Sequence, residues 1–401
     1  MKKILMSMLI GLSFVFNACG GDDKDEPVPP VVKQPQRTVL AYIVADNSLS
    51  SFAYDDVDEM LEGMKSVDTD INNLLVYVDD NATPVLFRLK KGKDGLVEKE
   101  ILREYEEQQS TNPQVMKEVC RKAYTDYPAK SYGLIYWSHG EGWKPMPLTS
   151  STRWIGQDKS GGETDYTNID ELKEVLTIVP HLDFLLFDAC FMMSVETAYA
   201  LRDEADYIIA SPTEIPGPGA PYDTMVPAMF KQGNTAVDIA QAYYNTYEAL
   251  YNDGKGNSDS HWTAGVSIGV LKTSALSALA QATGNALSNA IDIELSALKG
   301  EIFDYDQRPQ SSSSRIGYYD MAQIIQALTT GTDRTNWEKA YSDAMVYYQT
   351  TSKNYSSYSG MFSMEGTCGL SHYLPTGNTS LNAAYAQTEW YTAASLASWG
   401  W

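Results

Sequence analysis

Cysteine is scarce in this chain of 401 residues: only Cys19, Cys120, Cys190 and Cys368. That is too few for a disulfide-built scaffold. Neither these cysteines nor His139, His181, His261 and His372 fall at zinc-site spacing, so no metal is assigned. Cations are also short, with 30 Lys and Arg against 52 Asp and Glu and a formal charge of −22. A nucleic-acid partner requires clustered basic residues that displace counterions, and this balance argues against one. No apolar run reaches the roughly 20 residues of a membrane-spanning helix. Internal repeats and an EF-hand loop are absent as well. Apolar residues are not lacking: at 43% they support a sizeable core and exclude global disorder.

The start of the chain stands apart from the rest. Lys2 and Lys3 precede a short apolar stretch, 4–16, which meets Asn17-Ala18-Cys19. This pattern predicts a secretory signal over 1–18, cleaved before Cys19. It resembles a bacterial lipoprotein signal, which implies a lipid anchor on Cys19. Residues 19–36 are acidic and rich in Pro, the composition of an extended tether. Acidic residues directly after the cysteine resemble a surface-export signal, which implies an outer-membrane lipoprotein facing the cell surface. With Cys19 modified, three thiols remain, so at least one is unpaired in an oxidising compartment.

From residue 37 the pattern alternates between strand and helix. Residues 38–45 (TVLAYIVA), 74–78, 132–137 (YGLIYW), 183–187 (DFLLF) and 207–210 (YIIA) are short apolar runs, which predict strands buried on both faces. Val57, Met60, Leu61 and Met64 share one helical face, and Asn112-Pro113 opens a second helix. Residues 85–90 and 95–103 suggest a polar hairpin at a sheet edge. The stretch 144–165 reads as a loop. The expected fold is α/β, a mostly parallel sheet flanked by helices over 37–230, with a mixed extension over 231–401. In that extension, helices are expected at 236–252, 273–298, 320–329 and 335–350. A strand at 369–374 is expected to return to the sheet.

The chemistry concentrates at two strand ends. In open α/β sheets, ligands bind beyond the carboxyl ends of the strands. His139 follows the third strand directly, and Cys190 lies just past the fourth. A right-handed crossover joins those strands, and adjacent strands lie about 4.8 Å apart. A thiol nucleophile and its imidazole partner can therefore face each other. The N–H groups of Gly140 and Cys190 could form an oxyanion hole. Asp46 and Asn47, at the end of the first strand, are open candidates for shaping the site. Cys120 falls on the apolar stripe of its helix and reads as a core residue.

Together, YGLIYWSHGEGW and DFLLFDACFMMSVETAYALRD, with the cysteine 51 residues after the histidine, resemble the clostripain family of cysteine peptidases, family C11, of caspase-like fold. The resemblance implies His139 as general acid/base and Cys190 as nucleophile. It places Asp188 at the base of the pocket for the substrate residue before the cut bond, which implies cleavage after Arg or Lys. Glu214, in SPTEIPGPG, is a second acidic candidate, although Pro218 and Ala220-Pro221 depart from the family pattern there. Members often cut themselves between histidine and cysteine, which makes Arg153 and Lys159 the candidate points. Some relatives depend on Ca²⁺, for which Asp79-Asp80 and 253–259 offer oxygen ligands, and no other cofactor is expected. A peptide or protein substrate and a monomeric chain are expected. The competing function is a lipid-anchored binding module or adhesin on an inactive peptidase fold.

Overall fold

The computed structural model of the chain describes residues 35–144, 154–162, 164–253, 255 and 262–399. The signal, Cys19 and most of the tether lie outside these residues, as do Arg153 and His261. No helix among the described residues is long and apolar enough to cross a membrane.

The first half runs β1 (Arg37–Val44), α1 (Ser50–Met64), β2 (Asn72–Asp79), β3 (Val85–Lys91), β4 (Val97–Glu104), α2 (Pro113–Asp126) and β5 (Ser131–Trp137). Then come β6 (Trp154–Asp158), β7 (Asp165–Asn168), α3 (Ile169–Leu176), β8 (Leu182–Asp188), α4 (Val195–Ala200) and β9 (Ala205–Ala210). The rest contributes α5 (Tyr222–Met229), α6 (Thr235–Leu250), β10 (Ser267–Lys272), α7 (Leu276–Ser288), α8 (Leu295–Glu301), β11 (Tyr318–Asp320), α9 (Met321–Leu328), α10 (Gly331–Ala344) and β12 (Met345–Thr350). A hairpin of β13 (Lys353–Ser356) and β14 (Gly360–Ser363) follows, then β15 (Ser371–Tyr373).

Nine strands form the main sheet among the described residues, in the order β12-β10-β9-β8-β5-β1-β2-β3-β4. The central five, β9-β8-β5-β1-β2, are parallel. Both faces are covered, which is why these strands read as continuous apolar runs. On β1, Leu40, Tyr42 and Val44 join a core with α2, α3, α4 and α7. Val39, Ala41 and Ile43 join the opposite core, with α1, α5 and α6. The hairpin β3–β4 closes one edge, as its polar pattern suggested.

Four segments differ from the sequence pattern. The expected loop over 144–165 contains β6, which pairs antiparallel with β7. The long helix expected at 273–298 breaks at Asn289, which caps α7, and the N–H of Ile291 donates to the Leu328 carbonyl instead. Residues 345–350 are strand β12, antiparallel to β10, where Val346, Tyr347, Tyr348 and Thr350 favour a pleated edge over a helix end. The strand expected to return to the main sheet is β15, which pairs with β11 in a separate small sheet. The main sheet itself crosses the boundary near residue 230, because β10 and β12 belong to it.

Candidate active site

Register brings the two strand ends together. Trp137 of β5 sits directly opposite Asp188 of β8. His139 and Cys190, each two residues further on, therefore leave the sheet side by side. They line one cleft of about 400 Å³, together with Ser48, Asp188, Glu214 and Ser357.

The Cys190 turn is held tightly. Phe191 has φ 62, a left-handed conformation that is rare for a bulky residue. The N–H groups of Phe191 and Met193 donate to the carbonyls of Thr213 and Ser211. The following helix starts at Val195, and its cap is Ser194, whose Oγ accepts from the Thr197 N–H at 3.2 Å. Asp188 is therefore free of a capping role. Gly140 packs against this turn so closely that a Cβ there would lie 2.9 Å from the Cys190 carbonyl oxygen. Among the described residues, neither the Gly140 N–H nor the Cys190 N–H meets an acceptor. Two amide donors of the adjoining histidine and cysteine segments are thus unengaged.

Burial disfavours the charged form of both side chains of the pair. Cys190 Sγ accepts the Ile215 N–H at 3.3 Å. Burial, with Glu214 adding to it, pushes this thiol up to about 12. His139 Nε2 lies 2.8 Å from Ser48 Oγ. Burial and the Lys159 charge hold the imidazole below its usual range, against a smaller opposite pull from Glu141. Of the other thiols, Cys120 is buried in the core and Cys368 is tied to Asp320 through its N–H at 2.6 Å.

Asp188 forms the floor of the cleft. Its Oδ2 accepts the Ala220 N–H at 3.0 Å and the Tyr222 hydroxyl at 2.9 Å. Burial pushes this carboxyl up to about 6, against the pull of those donors. Asp56 lies behind it, accepting the Trp137 indole N–H at 2.6 Å, and its carboxyl is raised by burial and by the Asp188 charge. The wall above Asp188 is Gly219, with φ 65, where a Cβ would come within 2.8 Å of the carboxylate. Glu214 stands at the lip. It accepts the Ser357 hydroxyl at 2.5 Å, and its other oxygen is buried without a partner.

Strand β6 borders the site. The Gly156 N–H donates to the His139 carbonyl at 2.9 Å, and the Lys159 N–H to the Asp46 carbonyl at 3.0 Å. Asn47 Nδ2 donates to the Gln157 carbonyl at 2.7 Å. Asp46 and Asn47 thus seat β6 beside the cleft, while Ser48 makes the contact to the imidazole. Lys159 is exposed, yet its carbonyl accepts from Gly162 and the next N–H, of Ser160, is bound by Asp158.

Sequence reasoning passed over Ser48, although it directly follows Asp46-Asn47. It also passed over Asp56, hidden on the buried face of α1, and Ser357, which reaches the cleft from a distant hairpin. Two other histidines lie elsewhere: His181 pairs with Asp206 at the surface, and His372 is buried against the Tyr373 carbonyl. No group of three or more His, Cys, Asp or Glu side chains suited to a metal occurs among the described residues.

Comparison with known proteins gives a family. A family model described as the clostripain family matches residues 41–399. Clostripain of Hathewaya histolytica is 29% identical over 233 residues, 51% of this chain and 44% of that protein, so the match spans under half of that relative's length. A secreted C11 cysteine protease from Bacteroides thetaiotaomicron, solved with an irreversible peptide inhibitor, is 45% identical with a TM-score of 0.83, covering 90% of this chain and 99% of that one. An inactive zymogen C11 protease from Parabacteroides distasonis is 32% identical with a TM-score of 0.74, at the same coverage.

Proposed function

This chain belongs to the clostripain family of cysteine peptidases, and from that premise we propose that it is an endopeptidase cutting after Arg or Lys, with Cys190 as nucleophile and His139 as its acid/base partner. The observation that carries this is the pairing of Trp137 with Asp188, which delivers His139 and Cys190 to one cleft with a carboxylate at its floor.

The steps follow from that layout. The thiol proton passes to His139 as Cys190 Sγ attacks the scissile carbonyl. The N–H groups of Gly140 and Cys190 take the oxyanion, an effect worth about 2.7–4 kcal/mol per donor in a comparable site. The imidazolium then gives its proton to the leaving amine. A water, deprotonated by His139, attacks the thioester, and the thiol recovers its proton as the acid leaves. A guanidinium or ammonium on the substrate pairs with Asp188, and Glu214 adds negative charge at the lip.

Self-cleavage between His139 and Cys190 belongs to the same proposal, with Arg153 and Lys159 as the points. The turn that binds the Lys159 carbonyl and the Ser160 N–H resists cutting there, which favours Arg153. An anchor on Cys19 would place the enzyme at the outer surface, and palmitate labelling lost in Cys19→Ala would show it. A fluorogenic peptide series with Arg, Lys or a neutral residue before the cut bond tests the activity, run with Ca²⁺ and with a chelator. Cleavage after Arg and Lys, abolished in Cys190→Ala, is expected. No cleavage of any peptide under either condition would instead favour a binding module.

A further inference from the structure

Arg308 comes from the C-terminal part of the chain, yet it is buried beside the Cys190 turn. One guanidinium nitrogen donates to Glu141 Oε1 at 2.6 Å, and another to Asp306 Oδ1 at 2.8 Å. Glu141 is two residues from His139, and its other oxygen accepts from Lys144 at 2.6 Å. The guanidinium lies 5.4 Å from the ring centre of Phe191, the residue after the thiol, and 4.8 Å from that of Tyr358. Tyr358 sits on the β13–β14 hairpin beside Ser357, which lines the cleft. The backbone that presents Arg308 is also constrained: Gln307 has φ 56, and its side-chain oxygen accepts the Ser359 hydroxyl at 3.1 Å. One side chain thus touches the histidine loop, the cysteine turn and the hairpin wall.

We propose that Arg308 is a positioning residue that locks these three segments into the catalytic arrangement. The inference rests on the peptidase reading of the cleft. Arginine suits the role because its planar fork binds two carboxylates while its faces stack on aromatic rings, which lysine cannot reproduce. Its charge also acts on the thiol. Of the groups whose charge bears on Cys190, Glu214 and Asp188 oppose the thiolate and Arg308 favours it. The ion pairs are largely buried, so losing the guanidinium leaves Glu141 to Lys144 and Asp306 to Arg315 and two backbone amides.

The test compares wild type, Arg308→Met and Arg308→Lys by steady-state kinetics and by the rate of iodoacetamide labelling at Cys190. Labelling is read by mass on the Cys190 peptide, which separates it from Cys120 and Cys368. Arg308→Met is expected to lower kcat about 10²-fold, the scale of a 1 Å misplacement, with KM within about threefold. Its labelling at pH 8 should fall about tenfold, as for a thiol raised by one pKa unit. Arg308→Lys should restore most of the labelling rate and little of kcat. Wild-type kcat and labelling in a folded Arg308→Met protein would overturn the proposal. Should Arg308→Met not fold, Tyr358→Leu carries the test: reduced kcat at unchanged Tm supports it and wild-type kcat refutes it. If the wild-type chain cleaves no peptide, the peptidase reading falls, while the labelling comparison still decides whether Arg308 acts on the Cys190 turn.

Discussion

The hydroxyl of Ser48 lies 2.8 Å from Nε2 of His139. Ser48 follows β1, so a third strand end reaches the site beside those of β5 and β8. The contact fixes the imidazole at Nε2 while the thiol accepts the Ile215 N–H. A net hydrogen bond of about 1 kcal/mol corresponds to about a fivefold change in rate. Ser48→Ala is therefore expected to lower kcat about fivefold with little change in KM. An unchanged kcat would mean that the ring is oriented by packing alone.

Asp188 sets the next expectation. Replacing it with Asn keeps the shape and the donors from Ala220 and Tyr222 but removes the charge. Loss of a buried charge pair costs about 3–5 kcal/mol, so kcat/KM for Arg and Lys peptides should fall at least about 10²-fold. Peptides with a neutral residue before the cut should be nearly unaffected. The pH dependence has a defined sign. Burial raises this carboxyl to about 6, so it is ionised above that pH and takes up a proton below it. KM for a basic peptide should therefore rise as pH falls through about 6, and Asp188→Asn should be flat over that range. A matching rise for neutral peptides would assign the effect elsewhere.

Much of this site could be read from the chain because its parts are local. The runs YGLIYW and DFLLF are apolar on both faces, so they had to be parallel strands, and a residue just past each had to sit at the same end of the sheet. Register then turned two distant motifs into neighbours, through Trp137 and Asp188. What stayed hidden depends on long-range packing. β6 lies in a stretch whose Gly, Ser and Pro content reads as loop, and it becomes a strand by pairing with β7. β12 continues a helical pattern and is turned into a strand by the open edge of β10. Ser357 and Arg308 carry no local signal, since nothing near them in sequence belongs to the site. Asp56 sits at an apolar-face position on α1, where a carboxylate reads as an interruption until Asp188 and Trp137 appear beside it.

Gly140 offers a steric test of the oxyanion site. A methyl group at this position would stand 2.9 Å from the Cys190 carbonyl oxygen and 3.1 Å from the Ala189 Cβ. The second contact tolerates a small shift, but the first requires backbone to move. Gly140→Ala should therefore separate the two amide donors while the main sheet survives. A loss of about 10²–10³ in kcat is expected, comparable with removing one such donor. Circular dichroism should stay at wild type. Full activity in Gly140→Ala would exclude the Gly140 amide from the oxyanion site.

Lys159 has two roles that two measurements on one variant tell apart. Its charge helps to hold the His139 imidazole down, and its own peptide bond is one of the two candidate points of self-cleavage. Lys159→Ala removes both. If Arg153 is the point that is cut, Lys159→Ala should still convert to two chains, whereas Arg153→Ala and Cys190→Ala should each keep the intact mass. The imidazole of Lys159→Ala should then titrate at higher pH, because a repelling cation is gone while burial remains. His139 must be neutral to accept the thiol proton, so activity is lost as pH falls through its pKa. The acid limb of kcat/KM should thus move to higher pH in Lys159→Ala, without a change at the alkaline end. An intact Lys159→Ala chain beside a cut Arg153→Ala chain would move the processing point to the Lys159–Ser160 bond and require the turn held by Gly162 and Asp158 to open first.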